Sequence, residues 1–229
     1  MKISELFYSI QGEGKLTGVP SVFVRVCGCN LRCTWCDTPY ASWEPEGEEF
    51  SVAQIIERIA AYPGRHVVLT GGEPMIMPEI VELSAAIEKL GRHITIETAA
   101  TVYQPARCNL ASISPKLSNS TPTERAGGKF AAVHEKHRLN LEVIQELIDS
   151  ADDFQLKFVV ATENDLTEID AILARLTGWE FSDVLLMPEG IDAATLESRA
   201  GWISEICKTR GFRYCPRLHV MLYGNKRGT

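Results

Sequence analysis

The stretch Val22-Phe23-Val24-Arg25-Val26-Cys27-Gly28-Cys29-Asn30-Leu31-Arg32-Cys33-Thr34-Trp35-Cys36 reads as a β-branched strand that runs straight into a cysteine-rich loop. Val22, Val24 and Val26 share one parity, and Phe23, Arg25 and Cys27 share the other. The valine face suits packing beneath helices, so Arg25, and by the same parity Cys27, should face an interior. A charge placed there needs a partner. The guanidinium fork fits a carboxylate by two-point contact, either on a bound anion or within the protein, for example Glu13.

Working outward, runs rich in β-branched residues alternate with stretches of helical period. Strands are expected at about 3–10, 22–27, 66–70, 93–97, 110–114, 155–160, 183–187 and 213–218. Helices are expected between them. Over 52–62, Val52, Ile55, Ile56 and Ile59 share a face behind a Ser51/Gln54 capping pattern, and Pro63-Gly64 stops the run. Pro78 and Gly91 bracket a helix over 79–90, and 141–150, 165–177 and 193–209 carry similar stripes. Strand–helix alternation implies parallel strands with crossovers. The expected fold is α/β, a partial or modified (β/α) barrel with parallel strands, with a doubly wound open sheet as the alternative. Gln11-Gly12-Glu13-Gly14 lacks the glycine spacing of a dinucleotide turn. No repeat or linker interrupts residues 1–229, so a single domain is expected. Residues 117–140 fit no periodic element and read as a mobile cover of an active site.

The polar and glycine-rich oddities follow the expected strands: Gln11–Gly14, the cysteine loop, Thr70-Gly71-Gly72-Glu73-Pro74, Glu97-Thr98, Ser114-Pro115-Lys116 and Met187-Pro188-Glu189-Gly190. In a parallel barrel these would gather at one mouth. The 229 residues carry 23 basic and 30 acidic side chains, a net charge of −7, which argues against a broad nucleic-acid surface. No apolar run is long enough for a membrane span, and Met1-Lys2-Ile3-Ser4-Glu5 does not open a signal peptide, so a cytoplasmic location is the default expectation.

Four of the seven cysteines fall within ten residues: Cys27, Cys29, Cys33 and Cys36. Two readings stand side by side. Cys27 could complete a four-thiolate zinc site in a non-catalytic binding module, although no distant second pair of ligands exists. Alternatively Cys29, Cys33 and Cys36, spaced C-x3-C-x2-C, hold a [4Fe–4S] cluster with one iron left open.

The C-x3-C-x2-C run with an aromatic residue before its last cysteine, followed by Thr70–Pro74, resembles the radical S-adenosylmethionine (SAM) superfamily. Residues 7–14, 18–25, Cys36-Asp37-Thr38, Ser114–Lys116, Met187–Gly190 and the tail His219–Asn225 make the chain similar to the 7-carboxy-7-deazaguanine synthase family within it. That resemblance implies a lyase that contracts the ring of 6-carboxy-5,6,7,8-tetrahydropterin with loss of ammonia, in queuosine and related deazapurine biosynthesis. It implies a [4Fe–4S] cluster on Cys29, Cys33 and Cys36, SAM on the open iron, and Mg²⁺ at Thr38. It places SAM against Trp35, Gly72, Glu73, Ser114, Pro115, Lys116, Met187, Pro188, Glu189 and Gly190, with Glu73 receiving its ammonium. It places the pterin against Ile10, Gln11, Gly12, Glu13, Arg25, Thr70 and Asn225, with Arg25 on the substrate carboxylate. His219 could border the substrate or be a satisfied core residue. The resemblance further implies an electron donor such as flavodoxin or ferredoxin and a homodimer, with no direct nucleic-acid partner. A radical SAM activase acting on a partner protein shares the cysteine spacing and is the alternative function. Ala99-Ala100 departs from the family pattern, where glycine or a small polar residue often follows Glu-Thr.

Overall fold

The computed structural model describes residues 1–229. In chain order the elements are β1 (Lys2–Ile10), β2 (Pro20–Val26), α1 (Pro39–Ser42), β3 (Glu48–Glu49), α2 (Val52–Ala60), β4 (His66–Gly71), α3 (Ile80–Lys89), β5 (His93–Thr98) and β6 (Leu110–Ile113). There follow α4 (Ala131–His137), α5 (Leu141–Ser150), β7 (Phe154–Val160), α6 (Asp165–Leu173), β8 (Val184–Pro188), α7 (Ala193–Arg210), β9 (Arg213–Tyr214) and α8 (Leu218–Tyr223). One open nine-stranded sheet runs in the order β3-β1-β2-β4-β5-β6-β7-β8-β9. From β2 to β9 every neighbouring pair is parallel. The sheet does not close, so the partial barrel is the form realised.

Local chemistry explains the helix ends. Ser51 and Gln54 form the reciprocal capping box that starts α2. Asp192 caps α7 through Thr195 N at 2.9 Å, and Gly211 ends it at φ +72°. The aliphatic parities of the strands pack under these helices: Val22, Val24 and Val26 are fully buried, as are Leu156, Phe158 and Val160 on β7. At about 25 cal/mol per Å² of apolar area, this interlayer core is the main stabilising term.

Three expectations are corrected. First, β1 runs antiparallel to β2, with Ile10 opposite Pro20, so Gln11–Val19 leaves the sheet at the opposite end from the mouth. The nine-residue link is too short for a crossover, which takes about a dozen residues or more. It folds instead across the concave face: Gly14 N donates to Cys215 Sγ at 3.1 Å and Lys15 N to Gln155 Oε1 at 2.6 Å. A Cβ on Gly12 would lie 2.0 Å from His219 Nδ1, and one on Gly14 would lie 2.2 Å from Gln155 Nε2, so both positions require glycine. Second, the strand expected at 213–218 is only two residues long, because Pro216 has no N–H for a ladder and α8 starts at Leu218. Third, 117–140 is not a cover. It forms two short 3₁₀ turns and α4, and none of residues 118–140 lines the cavity described below.

Candidate active site

The parity of β2 delivers Arg25 to the concave face, together with Phe23, which stacks on Phe7 at 5.0 Å between ring centroids. Arg25 Nε donates to Glu5 Oε2 at 2.7 Å, and Tyr40 Oη donates to the same oxygen at 2.8 Å. The internal partner is therefore Glu5 and not Glu13. The two Nη groups of Arg25 engage no protein acceptor, and the residue borders a cavity of about 220 Å³.

Past β2 the chain turns out of the sheet. Cys27 does not follow Arg25 inward: its N–H bonds Lys2 O at 3.0 Å and its Cβ lies near Gly47, away from the cavity. The parity rule ends with the strand at Val26. Cys29, Cys33 and Cys36 do line the cavity, which removes the fourth thiol a structural zinc site would need. Burial pushes the Cys29 and Cys33 thiols up to about 12. Three thiols gathered on one cavity wall are a donor set that fits an iron–sulfur cluster.

Residues 117–140 clamp this loop from outside. Thr34 N donates to Ser120 O at 2.7 Å, and Arg125 Nη1 to Thr34 O at 2.9 Å. Arg32 N donates to Nδ1 of the buried His134 at 3.1 Å, whose Nε2 stands 2.9 Å from Ser120 Oγ. Burial lowers the His134 pKa to about 4, so the ring is neutral, accepts through Nδ1 and donates through Nε2. Trp35 lines the cavity with its ring, while its Nε1 donates to Asn119 O at 3.1 Å.

The Thr70–Pro74 turn lies against the root of the cysteine loop. A Cβ on Gly71 would meet Val26 O at 2.4 Å, and one on Gly72 would meet Gly28 O at 2.0 Å. The glycines thus serve a close backbone crossing and also line the cavity. Glu73 lies behind the cavity wall. Its fully buried carboxylate accepts from Met75 N at 3.0 Å, Thr98 Oγ1 at 2.7 Å and Ala99 N at 2.7 Å, and it is not among the residues that line the cavity. Burial raises its pKa against the pull of those donors. After Ala99, Ala100 sits at φ +57°, a left-handed conformation that favours glycine, one of the residue types the family pattern has after Glu-Thr.

Ile10, Gln11, Gly12, Glu13, Thr70, Thr38 and Asn225 all border the cavity. Thr70 Oγ1 donates to Glu97 Oε2 at 3.2 Å, and Gln11 Nε2 donates to Glu97 Oε1 at 3.2 Å. Thr38 Oγ1 has only a 3.9 Å approach to Cys36 Sγ, so the hydroxyl is free for a ligand. Ser114 and Lys116 reach the cavity, with Lys116 Nζ on Ser114 O at 2.7 Å. Pro115, Pro188, Glu189 and Gly190 do not. Glu189 is turned to Arg199, and Gly190 O accepts from Arg217, which leaves Met187 as the member of that stretch at the cavity. His219 lines it too.

Sequence reasoning missed Lys157, Arg217 and the pairing role of Glu97. Lys157 is the charged residue of concave parity in Phe154–Val160, the same signal that identified Arg25. It holds one oxygen of Glu13 while Arg217 Nε holds the other at 3.1 Å, and Arg217 also pairs with Asp37. These cations keep Glu13 ionised, well below the ordinary carboxylate range despite its burial.

The Radical SAM superfamily model matches residues 23–114, the span from the strand through the cysteines to Ser114. A 7-carboxy-7-deazaguanine synthase of Rhodopirellula baltica is 46% identical over 227 residues, covering 99% of this chain and 88% of that protein. One from Halobacterium salinarum is 45% identical, covering 98% and 91%. The crystal structure of QueE from Escherichia coli superposes with a TM-score of 0.70 at 27% identity, covering 95% of this chain and 94% of that one.

Proposed function

We propose how the site works from the premise that this chain belongs to the 7-carboxy-7-deazaguanine synthase family of the radical SAM superfamily. It is a radical SAM carbon–nitrogen lyase that contracts 6-carboxy-5,6,7,8-tetrahydropterin to 7-carboxy-7-deazaguanine with loss of ammonia. The family implies a [4Fe–4S] cluster and SAM. The observation that carries the reading is one cavity whose wall holds Cys29, Cys33 and Cys36 and which also holds the free edge of Arg25.

When bound, the cluster and SAM supply one-electron chemistry at carbon. The chain's own residues divide the remaining work. Cys29, Cys33 and Cys36, on one wall of the cavity, would hold the cluster. Trp35, Gly72, Ser114, Lys116 and Met187 form the wall where SAM would lie, and Glu73 supports that wall from behind. Arg25, fixed through Nε by Glu5, offers its two Nη groups to the substrate carboxylate. Thr38, whose hydroxyl borders the cavity without a close protein partner, would be the residue to hold Mg²⁺, an ion that commonly takes few protein ligands. Gln11, Gly12, Glu13 and Thr70 present acceptors and donors to the pterin ring. A site built on such groups discriminates strongly against analogues that leave them unpaired.

We infer one radical SAM core domain over residues 1–229, supported by the single sheet. A homodimer, a flavodoxin or ferredoxin as reductant and a cytoplasmic location complete the proposal. No helix is long and apolar enough to cross a membrane. The test is anaerobic reconstitution with iron and sulfide, then SAM, Mg²⁺, reductant and carboxytetrahydropterin. The expected product is 7-carboxy-7-deazaguanine. SAM cleavage with no deazapurine would refute the assignment and favour an activase.

A further inference from the structure

Lys157 is 5% exposed, and its ammonium touches Glu13 and stands 3.9 Å from Glu97 Oε1. Both carboxylates border the cavity, as does Lys157 itself. A buried ion pair is poor evidence of stabilisation, because apolar residues of similar volume often do as well. A cation retained between two cavity carboxylates calls for another reason. Without it, neighbouring like charges favour the uptake of a proton. A protonated carboxyl presents an O–H where an ionised one presents only acceptors. The amino and ring N–H groups along one edge of a pterin form a row of donors, which ionised acceptors match.

We propose that Lys157 is a positioning residue that holds Glu13 as an anionic acceptor, beside Glu97, for the amino–imino edge of the pterin ring. This rests on the pterin reading of the cavity. Every group facing Glu13 enters the balance: Lys157 from β7, Arg217, His219 and Cys215 from the segment after β9, Asp37 from the cysteine loop and Glu97 from β5. Burial pushes the Glu13 carboxyl up, while Lys157 and Arg217 pull it down. Removing Lys157 leaves burial opposed mainly by Arg217, so the carboxyl should take a proton as pH falls toward the acid side of neutrality.

The test uses the reconstituted holoenzyme with pterin-6-carboxylate as a fluorescent probe, titrated between roughly pH 6 and 7.5. Wild type should bind with a Kd constant within about twofold, whereas K157Q should bind about four- to eightfold more weakly at the lower pH than at the higher, as the ionised fraction of a carboxyl titrating at about 6.5 to 7 falls. SAM affinity should be unchanged. A K157Q profile as flat as wild type, or an equal loss at both ends, overturns the proposal. E13Q provides a second arm if K157Q does not fold: it should weaken the probe equally at both pH values, and wild-type affinity in E13Q also overturns the proposal. Failure of the wild type to bind the probe removes the pterin reading and this proposal with it. Failure confined to the variants removes the proposal alone.

Discussion

Glu73 separates two accounts of the Thr70–Pro74 turn. If its carboxylate were a ligand for a SAM ammonium, Glu73→Gln would weaken SAM and leave the fold alone, since substitutions away from buried networks stay within about ±0.5 kcal/mol. The structure predicts the reverse order of effects. Oε1 accepts from Met75 N and Thr98 Oγ1, and Oε2 accepts from Ala99 N. Thr98 Oγ1 also accepts from Ala100 N at 2.9 Å, which commits its proton to Glu73. A glutamine can keep its carbonyl at the Oε1 position, but its amide then opposes the Ala99 N–H. One charge-assisted bond is lost and one buried donor is left unpaired, a cost of about 2–4 kcal/mol. Glu73→Ala strips all three donors and should cost about 4–6 kcal/mol by the same scale. Urea unfolding of wild type and both variants, read by far-ultraviolet circular dichroism, measures these differences provided the slopes agree. Equilibrium dialysis of SAM against the holoenzyme gives the second axis. Stability within about 1 kcal/mol of wild type in Glu73→Gln, below the expected range, combined with a large loss of SAM affinity would sink the bracing role.

Three further outcomes are expected. Arg25→Ala should weaken the carboxylate-bearing pterin by about a hundredfold, the value of a two-point charge-assisted contact, while SAM affinity stays constant; an unchanged KM would contradict the inward-facing argument. Cys33→Ala should prevent recovery of a full complement of iron and sulfide after reconstitution, and a variant with wild-type iron content and absorbance would remove Cys33 from the ligand set. His134 has a folded-state pKa depressed from 6.5 to about 4, so the stability it contributes is present above pH 6.5 and is lost as pH falls toward 4. His134→Gln should flatten that part of the pH–stability curve, and a curve that stays parallel to wild type would show that the ring is not held neutral.

Much of this was legible because it depends on local pattern. The capping box at Ser51, the glycine stop at Gly211 and the two-residue parity of Val22–Val26 are each dictated within a few residues. The direction of β1 is different. A strand of period two reads the same whether it pairs parallel or antiparallel, and only the shortness of the Gln11–Val19 link carried the answer. Lys157 was readable by the argument applied to Arg25, since Gln155, Lys157 and Val159 alternate with the buried Leu156, Phe158 and Val160. The inward face of β7 was recognisable once its charge was set against its parity. Residues 117–140 were not readable in this way. Their order comes from bonds such as Arg32 N to His134 Nδ1, which join positions about a hundred residues apart and leave no periodic trace. The surroundings of Glu73 leave no local trace for a related reason: its motif position matches the family, but its carboxylate partners Thr98 and Ala99 lie at the end of β5 and just beyond it.

The antiparallel β1 and the charge network are consequences of one arrangement. An open sheet leaves its concave face uncovered, and the short link after β1 crosses it, seated by Gly12 against His219 and Gly14 against Gln155. Crossing there carries Glu13 out of water, and a buried carboxylate must be matched. Lys157 comes from the middle of β7 and Arg217 from beyond β9, so the two partners of Glu13 lie on elements that the link itself brings together. Arg217 continues the chain of charges to Asp37, next to Cys36 and Thr38, while Glu5 at the far side fixes Arg25. The loop that closes the floor of the cavity is therefore tied by ion pairs to the cysteine loop that forms its wall. Electrostatics that would be a liability in a dry core become the means by which two irregular segments, neither of them held in the sheet, keep a fixed distance across a site for a charged substrate.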